Sequence, residues 1–343
     1  MQTVLTNLRN ETNEYLNNLR NTKPSVYSCV DQERVPKLVE YILSNNLDST
    51  DFETNVKNSR GTSYIKAQES LLVREKGISN ILQLISPNED INSLNQNYKI
   101  LDLLGGNGLI KKVADTILER NNTPTIVTSD ISKGMIENAI ENGLVALRQP
   151  AQYLMFKDNS MDGILLAYGT HHIPKSQRNE TIKEARRVLK ETGKLIVHDF
   201  EENGPVARWF NEVVDKYSLT GHDFPHFTFE EMNNYFEKNN FVNYNIKYMY
   251  DPFIFTGSSE LEVIKKLSTY LINMYGLEKL KDVYSDNEVL DIVYIKAKNI
   301  YVYDYPSLGL PENFGESKIL ISQIKGKWYI EMPRLALVGT AIK

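Results

Sequence analysis

The arrangement of apolar and polar positions changes near residue 95 of the chain. Before that point, apolar residues recur at the three- and four-residue spacing of amphipathic helices, notably in 35–43 and 64–85. From 96 to about 250, short apolar runs typical of buried strands alternate with stretches of helical spacing. The pattern therefore predicts a helical region followed by an α/β domain with a parallel sheet.

The first strand of this α/β domain leads into a loop that carries three glycines. Within 98–110 (YKILDLLGGNGLI), an apolar run ends at Asp102, and a helix over 109–118 can begin after the loop. Glycine tolerates left-handed backbone and has no Cβ to block a ligand, and a helix N-terminus offers free N–H groups. This order favours a nucleotide-like ligand, although similar loops occur in α/β folds without one. The glycines are Gly105, Gly106 and Gly108.

A second acidic residue follows the next predicted strand. The run 125–129 ends at Asp130, and 131–142 has helical character with Ser132 as its capping residue. A carboxylate at the end of the second strand is placed to accept hydrogen bonds from ribose hydroxyls. The alternative is that Asp130 only caps the helix.

Two nucleotide cofactors are compatible with these features, NAD and S-adenosylmethionine. A dinucleotide loop typically reads G-x-G-x-x-G, but here the residues after Gly108 are Leu109, Ile110 and Lys111, so the third spaced glycine is missing. Asp102 would repel a pyrophosphate, whereas it suits the ammonium group of S-adenosylmethionine, which carries no phosphate. The charge at this position therefore favours the methyl donor and disfavours an NAD(P)-dependent reductase.

The block 155–199 adds a longer series of motifs. It reads F-x-D-x-S-x-D before a strand at 163–168, then H-H-I, a helix ending in R-V-L-K, and a strand at 194–199 preceded by glycine. This order resembles the class I S-adenosylmethionine-dependent methyltransferases, and most of all the group that contains the ubiquinone/menaquinone biosynthesis methyltransferases. The resemblance covers about 98–250, and its motifs are specific in combination.

The resemblance implies an α/β, Rossmann-like class I methyltransferase fold, in which a mostly parallel seven-stranded sheet carries helices on both faces. We expect an N-terminal helical lid in 1–95, the methyltransferase core in 96–258 and a helical insertion in 259–285. The last segment, 286–343, is expected to hold the final core strand and a β-rich C-terminal extension. That final strand is predicted at 290–296 or slightly later.

The family pattern also implies a set of cofactor contacts, with two departures. Leu104 stands where the first glycine of the family loop is expected, which narrows the room near the methionine moiety or shifts the loop. The acidic residue usual after the third strand is absent, so Gln149 or Gln152 is the candidate for contact with adenine. The predicted cofactor-binding residues are Asp102, Leu104, Gly105, Gly106, Gly108, Asp130, Ile131, Met135, Gln149 and Tyr168.

All five histidines of the chain fall between 171 and 226. Three of them follow or end predicted strands at the sheet edge where open parallel sheets bind ligands, and His226 lies in a loop before a helix. Histidine is the side chain best suited to accept a proton from an acceptor hydroxyl near neutral pH. The predicted catalytic residues are His171, His172, His198 and His226.

Composition narrows the partners. The net charge of −5 leaves no basic footprint for nucleic acid, and the single cysteine, Cys29, excludes an internal disulfide. Without a Cys/His cluster in the sequence we predict no metal ligands and no structural zinc site, while the assistance of a metal in catalysis is left open. The N-terminus lacks the apolar run of a signal peptide or membrane span. We expect a cytoplasmic protein with a small-molecule acceptor, and a homodimer is left open.

Together these features predict an S-adenosylmethionine-dependent methyltransferase that methylates oxygen on a small molecule, in natural product biosynthesis. A histidine would act as general base. The alternatives are a protein that binds the same cofactor without transferring methyl, such as a cyclase or binding module, and a C- or N-methyltransferase that works by positioning alone.

Overall fold

The computed structural model describes residues 2–54, 59–119 and 122–343. Its strands are β1 Lys99–Leu103, β2 Thr125–Asp130, β3 Ala146–Arg148, β4 Met161–Leu166, β5 Leu189–Phe200, β6 Asn243–Tyr250, β7 Phe253–Gly257, β8 Leu320–Ile324, β9 Lys327–Met332 and β10 Leu335–Ile342. Seven of them form one sheet in the order β3-β2-β1-β4-β5-β10-β6. Only β10 runs antiparallel within this sheet, pairing with β5 and β6. This strand order confirms the predicted mostly parallel, Rossmann-like fold.

Helices cover both faces of the main sheet. They are α1 Gln2–Thr22, α2 Pro24–Tyr27, α3 Arg34–Ser44, α4 Gly61–Gln68, α5 Glu75–Ile85, α6 Leu109–Ile117, α7 Lys133–Glu141, α8 Lys175–Val188, α9 Pro205–Trp209, α10 Asp215–Tyr217, α11 Phe229–Lys238, α12 Glu260–Tyr275 and α13 Asp286–Ile300. Successive residues of β1 serve opposite faces: Ile100 joins one hydrophobic cluster, and Leu101 and Leu103 join the other. A strand buried on both faces explains the continuous apolar run in the sequence.

The helices predicted before residue 95 are present, but one of them is divided in two. The stretch expected as one helix over 64–85 is split into α4, a 3₁₀ turn at Leu71–Arg74, and α5. At the edge of the sheet formed by β3, α1 packs against that strand, and Arg148 of β3 forms a 2.8 Å ion pair with Glu11 of α1. The N-terminal region is therefore fixed to the edge of the sheet.

The segment between β6 and β10 forms a second layer of structure. It contains β7, α12, α13, β8 and β9, and its three strands pair antiparallel in the order β7-β9-β8. Within it, α12 packs against α4 from the N-terminal region. The insertion therefore closes over the same side of the core as α4 and α5.

The strand predicted at 290–296 is wrong, because these residues lie within α13. The buried side chains of this helix recur every three or four residues, and the Ser285 N–H donates to Glu288 Oε2 at 2.9 Å, as in a capping box. The final core strand is β10, at the C-terminal end of the chain. The α13 residues buried on its inner face are Val289, Val293, Ala297 and Ile300.

Among the described residues, no helix is both long and apolar enough to cross a bilayer.

Candidate active site

A cavity of about 320 Å³ lies at the carboxyl ends of β1, β2 and β4, where the parallel strands of such a sheet present their ligand-binding edge. We call it the cofactor cavity. Six of the ten predicted cofactor-binding residues line it, and segments before β1 close its outer side. The six are Leu104, Gly106, Asp130, Ile131, Met135 and Tyr168.

The glycine loop after β1 has left-handed backbone at three positions. The φ angles are +61° at Leu104, +56° at Gly106 and +83° at Gly108, which is the N-cap residue of α6. The Gly105 N–H donates to Ser129 O at 2.9 Å and ties the loop to β2. Leucine thus adopts the conformation that favours glycine, at a cost of about 1–2 kcal/mol, and its side chain enters the cavity wall. The residue that departs from the family pattern thus forms part of the cavity wall.

Asp102 is buried directly beneath this loop. It is 1 % exposed, and neither carboxylate oxygen has a hydrogen-bond partner. Burial, reinforced by the charge of Asp130, raises the pKa of Asp102 well above its usual range. A Cβ at Gly105 would lie 2.8 Å from Asp102 Oδ2, so glycine is required where the loop crosses the carboxylate. The loop therefore covers an acceptor pair that no protein donor satisfies.

Asp130 ends β2 and lines the cofactor cavity. Its Oδ2 accepts the Gly106 N–H and its Oδ1 accepts the Ser132 N–H, each at 2.9 Å. Burial raises the pKa of Asp130, although these backbone hydrogen bonds oppose the shift. Since each carboxylate oxygen has a second lone pair, Asp130 both fixes the loop and keeps capacity for a hydroxyl donor. The helix is capped by Ser132, as predicted, and the backbone contacts of Asp130 are compatible with ribose binding.

Residues 47–53 cover the cofactor cavity from the N-terminal side. Phe52 is part of the wall, and its carbonyl accepts a hydrogen bond from Ser132 Oγ at 3.1 Å. The Glu53 carboxylate accepts the N–H groups of Lys133 and Gly134, at 3.3 and 3.0 Å, at the start of α7. These contacts hold the segment against the helix that follows Asp130.

The stretch after β3 places the two candidate glutamines differently. Gln149 is buried away from the cavity wall, and its Oε1 accepts the Met155 N–H at 3.0 Å. Gln152 lines the cavity and donates from Nε2 to Gln177 Oε1 at 2.7 Å. Of the two residues considered for adenine, Gln152 is therefore the better placed.

A second, smaller cavity of about 40 Å³ adjoins the first, which we call the arginine cavity. Four residues line both cavities, so a ligand in one faces a ligand in the other: Phe52, Tyr64, Tyr168 and His172. The remaining wall of the arginine cavity brings together distant parts of the chain: Arg60, Arg74, His171, Phe200, Phe210, Met274, Tyr275 and Arg334. No sequence motif indicated this grouping.

His171 is held by Asp199, near the end of β5. The His171 Nδ1 lies 2.9 Å from both oxygens of Asp199, and the His171 backbone N–H donates to Oδ2 at 2.7 Å. Burial alone would raise the pKa of Asp199, but His171 and His226 hold it well below its usual range. His171 Nε2 is buried without a partner in a residue that lines the arginine cavity. With its proton on Nδ1, His171 offers the lone pair of Nε2 to that cavity.

The other histidines take different positions. Burial, reinforced by His171 and Arg60, lowers the pKa of His172 well below its usual range, so this residue at the junction of the cavities is neutral. His226 contacts Asp199 at 3.3 Å but lines neither cavity. His198 lies in β5, 3.5 Å from Asp251, and also lines neither cavity. Of the four predicted catalytic histidines, the structure thus brings two to the ligand-facing surface.

His222 joins this cluster although it was not among the predicted catalytic residues. The ligand atoms of His171, His172 and His222 lie within 4.8 Å of one another, which is close enough to suggest a metal ion. Burial and the neighbouring His171 lower the pKa of His222 to about 2. The positive charge of Arg60 also acts on His172 and His222, and it would repel a divalent cation. The geometry permits a metal here, whereas the electrostatics oppose it.

Comparisons with known proteins agree with the strand order. Residues 101–197 match the family described as a methyltransferase domain. A ubiquinone/menaquinone biosynthesis C-methyltransferase UbiE from Rickettsia prowazekii is 33% identical over 117 residues, which are 32% of this chain and 46% of that protein. The UbiE of Saccharophagus degradans is 29% identical over 138 residues, covering 38% and 53% of the two chains. The chain thus matches about half the length of these curated relatives.

The solved structures similar to this chain include two methyltransferases. A phosphoethanolamine N-methyltransferase 2 from Haemonchus contortus, in complex with S-adenosyl-L-methionine, is 15% identical with a TM-score of 0.49, covering 81% of this chain and 56% of that one. A methyltransferase from Thermotoga maritima, described as a possible histamine N-methyltransferase, is 16% identical with a TM-score of 0.43, covering 82% and 96%.

The strand order and the glycine loop agree with the family match. Residues 101–197 match a methyltransferase domain, and N-terminal helices and the insertion between β6 and β10 are added to the sheet that contains them.

Proposed function

We propose that the protein binds S-adenosylmethionine in the cofactor cavity and methylates a small molecule. The observation that carries the proposal is Asp102, whose two buried oxygens have no partner beneath the glycine loop. A buried carboxylate without a counter-charge is costly unless a ligand supplies one. The ammonium group of S-adenosylmethionine supplies that charge, whereas the pyrophosphate of NAD would add repulsion.

The remaining wall of the cofactor cavity fits the other parts of this cofactor. Asp130 retains lone pairs for the ribose hydroxyls, and Gln152, which also lines the wall, is the candidate for contact with adenine. The cofactor contributes an electrophilic methyl group on a sulfonium. The protein's task is then to place an acceptor atom in line with that methyl group and to exclude water.

The arginine cavity supports the placement of the acceptor. It meets the cofactor cavity at Tyr168 and His172, and everything that lines it is buried or half-buried. Its volume of about 40 Å³ holds only part of a molecule, so the acceptor extends across the junction toward the cofactor. An enclosed site of this size supports a small-molecule acceptor over a polymer.

For an oxygen acceptor, His171 is the general base that the geometry supports best. Asp199 orients its ring, and the unpaired Nε2 would accept the hydroxyl proton of an acceptor in this cavity. Burial lowers the pKa of His171, although Asp199 opposes the shift. The imidazole is therefore neutral and able to act as a base at neutral pH.

Methylation of carbon is the second candidate, because the matched relatives are named C-methyltransferases. A carbon acceptor already activated by its own ring oxygens needs positioning more than a base. The two candidates predict different responses to the loss of His171.

The test combines cofactor binding with two matched histidine variants. We expect S-adenosylhomocysteine to bind in calorimetry and labelled methyl groups to be incorporated into a small-molecule fraction of cell extract. His171→Asn should then lower kcat by about 10²–10⁴-fold. His226→Asn is the control, since His226 shares the contact with Asp199 but lines neither cavity, and it should have a much smaller effect.

Each contrary result has a distinct meaning. If NAD binds and S-adenosylhomocysteine does not, the proposed cofactor is wrong. If the cofactor binds but no extract accepts a methyl group, the chain is a binding protein, as the narrowing by Leu104 allows. If His171→Asn keeps full turnover, base catalysis is wrong and C-methylation by positioning replaces it.

A further inference from the structure

Three arginines line the arginine cavity, and all are buried. Arg60 and Arg74 are each 4 % exposed and Arg334 is 1 % exposed. A guanidinium remains charged at any pH a protein experiences, so burial cannot be relieved by loss of its proton. Each buried guanidinium therefore requires an anion, or else persists as an uncompensated charge.

Arg334 has such an anion. Its Nη2 lies 2.6 Å from Asp251 Oδ2, and its Nε donates to the Asp251 backbone oxygen at 2.9 Å. Asp251 also accepts a hydrogen bond from Tyr168 Oη at 3.2 Å and lies 3.5 Å from His198 Nε2. This carboxylate forms an ion pair with Arg334, and its charge also acts on Arg74 without a direct contact.

Arg74 has only neutral hydrogen-bond partners. Its Nε donates to Tyr270 Oη at 3.0 Å, and its Nη2 lies 2.9 Å from the sulfur of Met274. The remaining nitrogen, Nη1, is buried and has no hydrogen-bond partner. Neither a hydroxyl nor a thioether compensates a full positive charge, so one donor of Arg74 is left for another acceptor.

Arg60 is still less satisfied. Its Nη2 makes a long contact of 3.4 Å with the Met274 carbonyl, and its Nε is buried without a partner. Its guanidinium carbon lies 5.0 Å from the centre of the Phe52 ring, a contact that replaces little of the lost hydration. Across residues 2–54, 59–119 and 122–343, no carboxylate forms an ion pair with Arg60 or Arg74.

We propose that the methyl acceptor carries an oxyanion, a carboxylate or a phosphate, that binds Arg60 and Arg74 in the arginine cavity. This inference rests on the proposed function and names the class of its substrate. Two guanidinium groups with free N–H donors match the paired oxygens of such a group, with charge-assisted hydrogen bonds. The acceptor's anionic end lies against the arginines, and its reactive end reaches past His172 toward the cofactor.

The neighbouring imidazoles are neutral, mainly because they are buried. His171 and His172 face the same cavity, and their lowered pKa values keep positive charge on the arginines alone. An anionic acceptor then finds two fixed cations and a neutral base in one enclosed space. The neutral base remains free to take a proton while the anion stays bound.

The first experiment titrates the full-length wild-type protein, saturated with S-adenosylhomocysteine, with acetate, with inorganic phosphate and with acetamide as the neutral match for acetate. We expect acetate or phosphate to bind at least about tenfold more tightly than acetamide, as calorimetry or ligand-observed NMR can measure. The tighter of the two anions identifies the group. If neither anion binds, or acetamide binds as well as acetate, the inference is wrong.

The cofactor titration keeps this outcome separate from the proposed function. Absence of S-adenosylhomocysteine binding would refute the proposed function. Cofactor binding with no selectivity for anions would refute only the anionic acceptor.

Variants test whether the two arginines serve a ligand or the fold. Arg60→Met and Arg74→Met should each weaken anion binding about tenfold or more and leave cofactor affinity within about threefold. Their melting temperatures without ligand should equal or exceed the wild-type value, because each loses a buried charge that has no carboxylate in direct contact. Arg208→Met, an exposed arginine on α9, is the control and should change neither quantity.

Arg334→Met provides the structural contrast. It removes the partner of buried Asp251 and should lower the melting temperature markedly. If Arg60→Met and Arg74→Met lower the melting temperature as much as Arg334→Met does, these arginines support the fold and the anion site is refuted. The same holds if both variants bind acetate and phosphate like the wild type.

Discussion

At the scale of single residues, the proposed cofactor and acceptor sites are marked by polar groups that the protein buries without partners. The unpaired oxygens of Asp102 and the unpaired nitrogens of Arg60 and Arg74 lie in or next to the two adjoining cavities. Folded proteins satisfy nearly all buried polar groups, so a cluster of exceptions indicates where ligands bind. These groups destabilise the free protein, and a ligand of opposite charge that pairs with them is bound more tightly for the same reason.

Asp102→Asn should therefore stabilise the free protein and weaken cofactor binding. Because the folded-state pKa of Asp102 is raised, folding favours its protonated form. Asp102 therefore stabilises the folded protein most below the ordinary carboxyl pKa of about 3.9, and this stabilisation is lost as pH rises through the raised value. The variant should gain on the order of 1–3 kcal/mol in unfolding free energy at pH 7, and the gain should vanish near pH 4. Urea unfolding across this pH range measures it.

The matched control for this prediction is Asp291→Asn, an exposed aspartate on α13. It should shift neither the stability nor the affinity for S-adenosylhomocysteine. If Asp102→Asn destabilises the protein at pH 7, the carboxylate has a partner in the free protein and the cofactor proposal loses its main support.

Residues also differ in how much of their role the sequence reveals. Asp102, Asp130 and the glycines lie within one short motif or at strand ends, so spacing alone predicts their neighbourhood. His222, Arg60 and Arg74 come from separate loops and helices and meet only in the folded chain. No local pattern marks them, and only the three-dimensional structure places them at the site.

At the scale of elements, the segment 47–53 connects cofactor binding with the N-terminal region. Glu53 accepts two N–H groups at the start of α7, where the helix dipole adds favourable charge. The segment therefore rests on the helix that begins just after Asp130 and forms part of the cavity wall through Phe52. A cofactor in this cavity is covered by residues that Glu53 holds together with Ser132 and Arg148.

Glu53→Ala should loosen this cover with little effect on the fold. Losing a capping carboxylate costs about 1 kcal/mol, which corresponds to about fivefold faster release of S-adenosylhomocysteine if the segment must open for it to leave. Stopped-flow displacement of the cofactor product measures the rate. Glu14→Ala, an exposed position on α1, should release the ligand at the wild-type rate, and equal rates for both variants would contradict the covering role.

The strand predicted at 290–296, which is part of α13, shows where prediction from local sequence fails. The run 290–296 is rich in β-branched and aromatic residues, so its composition favours a strand. The capping box at Ser285 and the three- to four-residue spacing of buried side chains favour a helix, and packing against α9 and α12 decides the outcome. In 290–296, tertiary contacts therefore outweigh the strand preference of the local composition. The strands of the core, which are buried on both faces, were predictable from their length and apolarity.

At the scale of the whole molecule, two additions to a common fold convert an open sheet edge into an enclosed site. The N-terminal region supplies Phe52, Arg60 and Tyr64, and the insertion between β6 and β10 supplies Met274 and Tyr275. The core contributes the cofactor loop and the histidines. The family resemblance predicts the core, whereas it does not cover the additions that supply much of the wall of the arginine cavity.

The central claim is that the cavity above β1, β2 and β4 holds an adenosine with an amino-acid tail. The most direct test is a crystal structure of the full chain with S-adenosylhomocysteine. The account predicts ribose hydroxyls within hydrogen-bond distance of Asp130 and the ammonium group next to Asp102, with Leu104 alongside the methionine moiety. A ligand bound elsewhere, or Leu104 filling the cavity with Asp102 still unpaired, would contradict it.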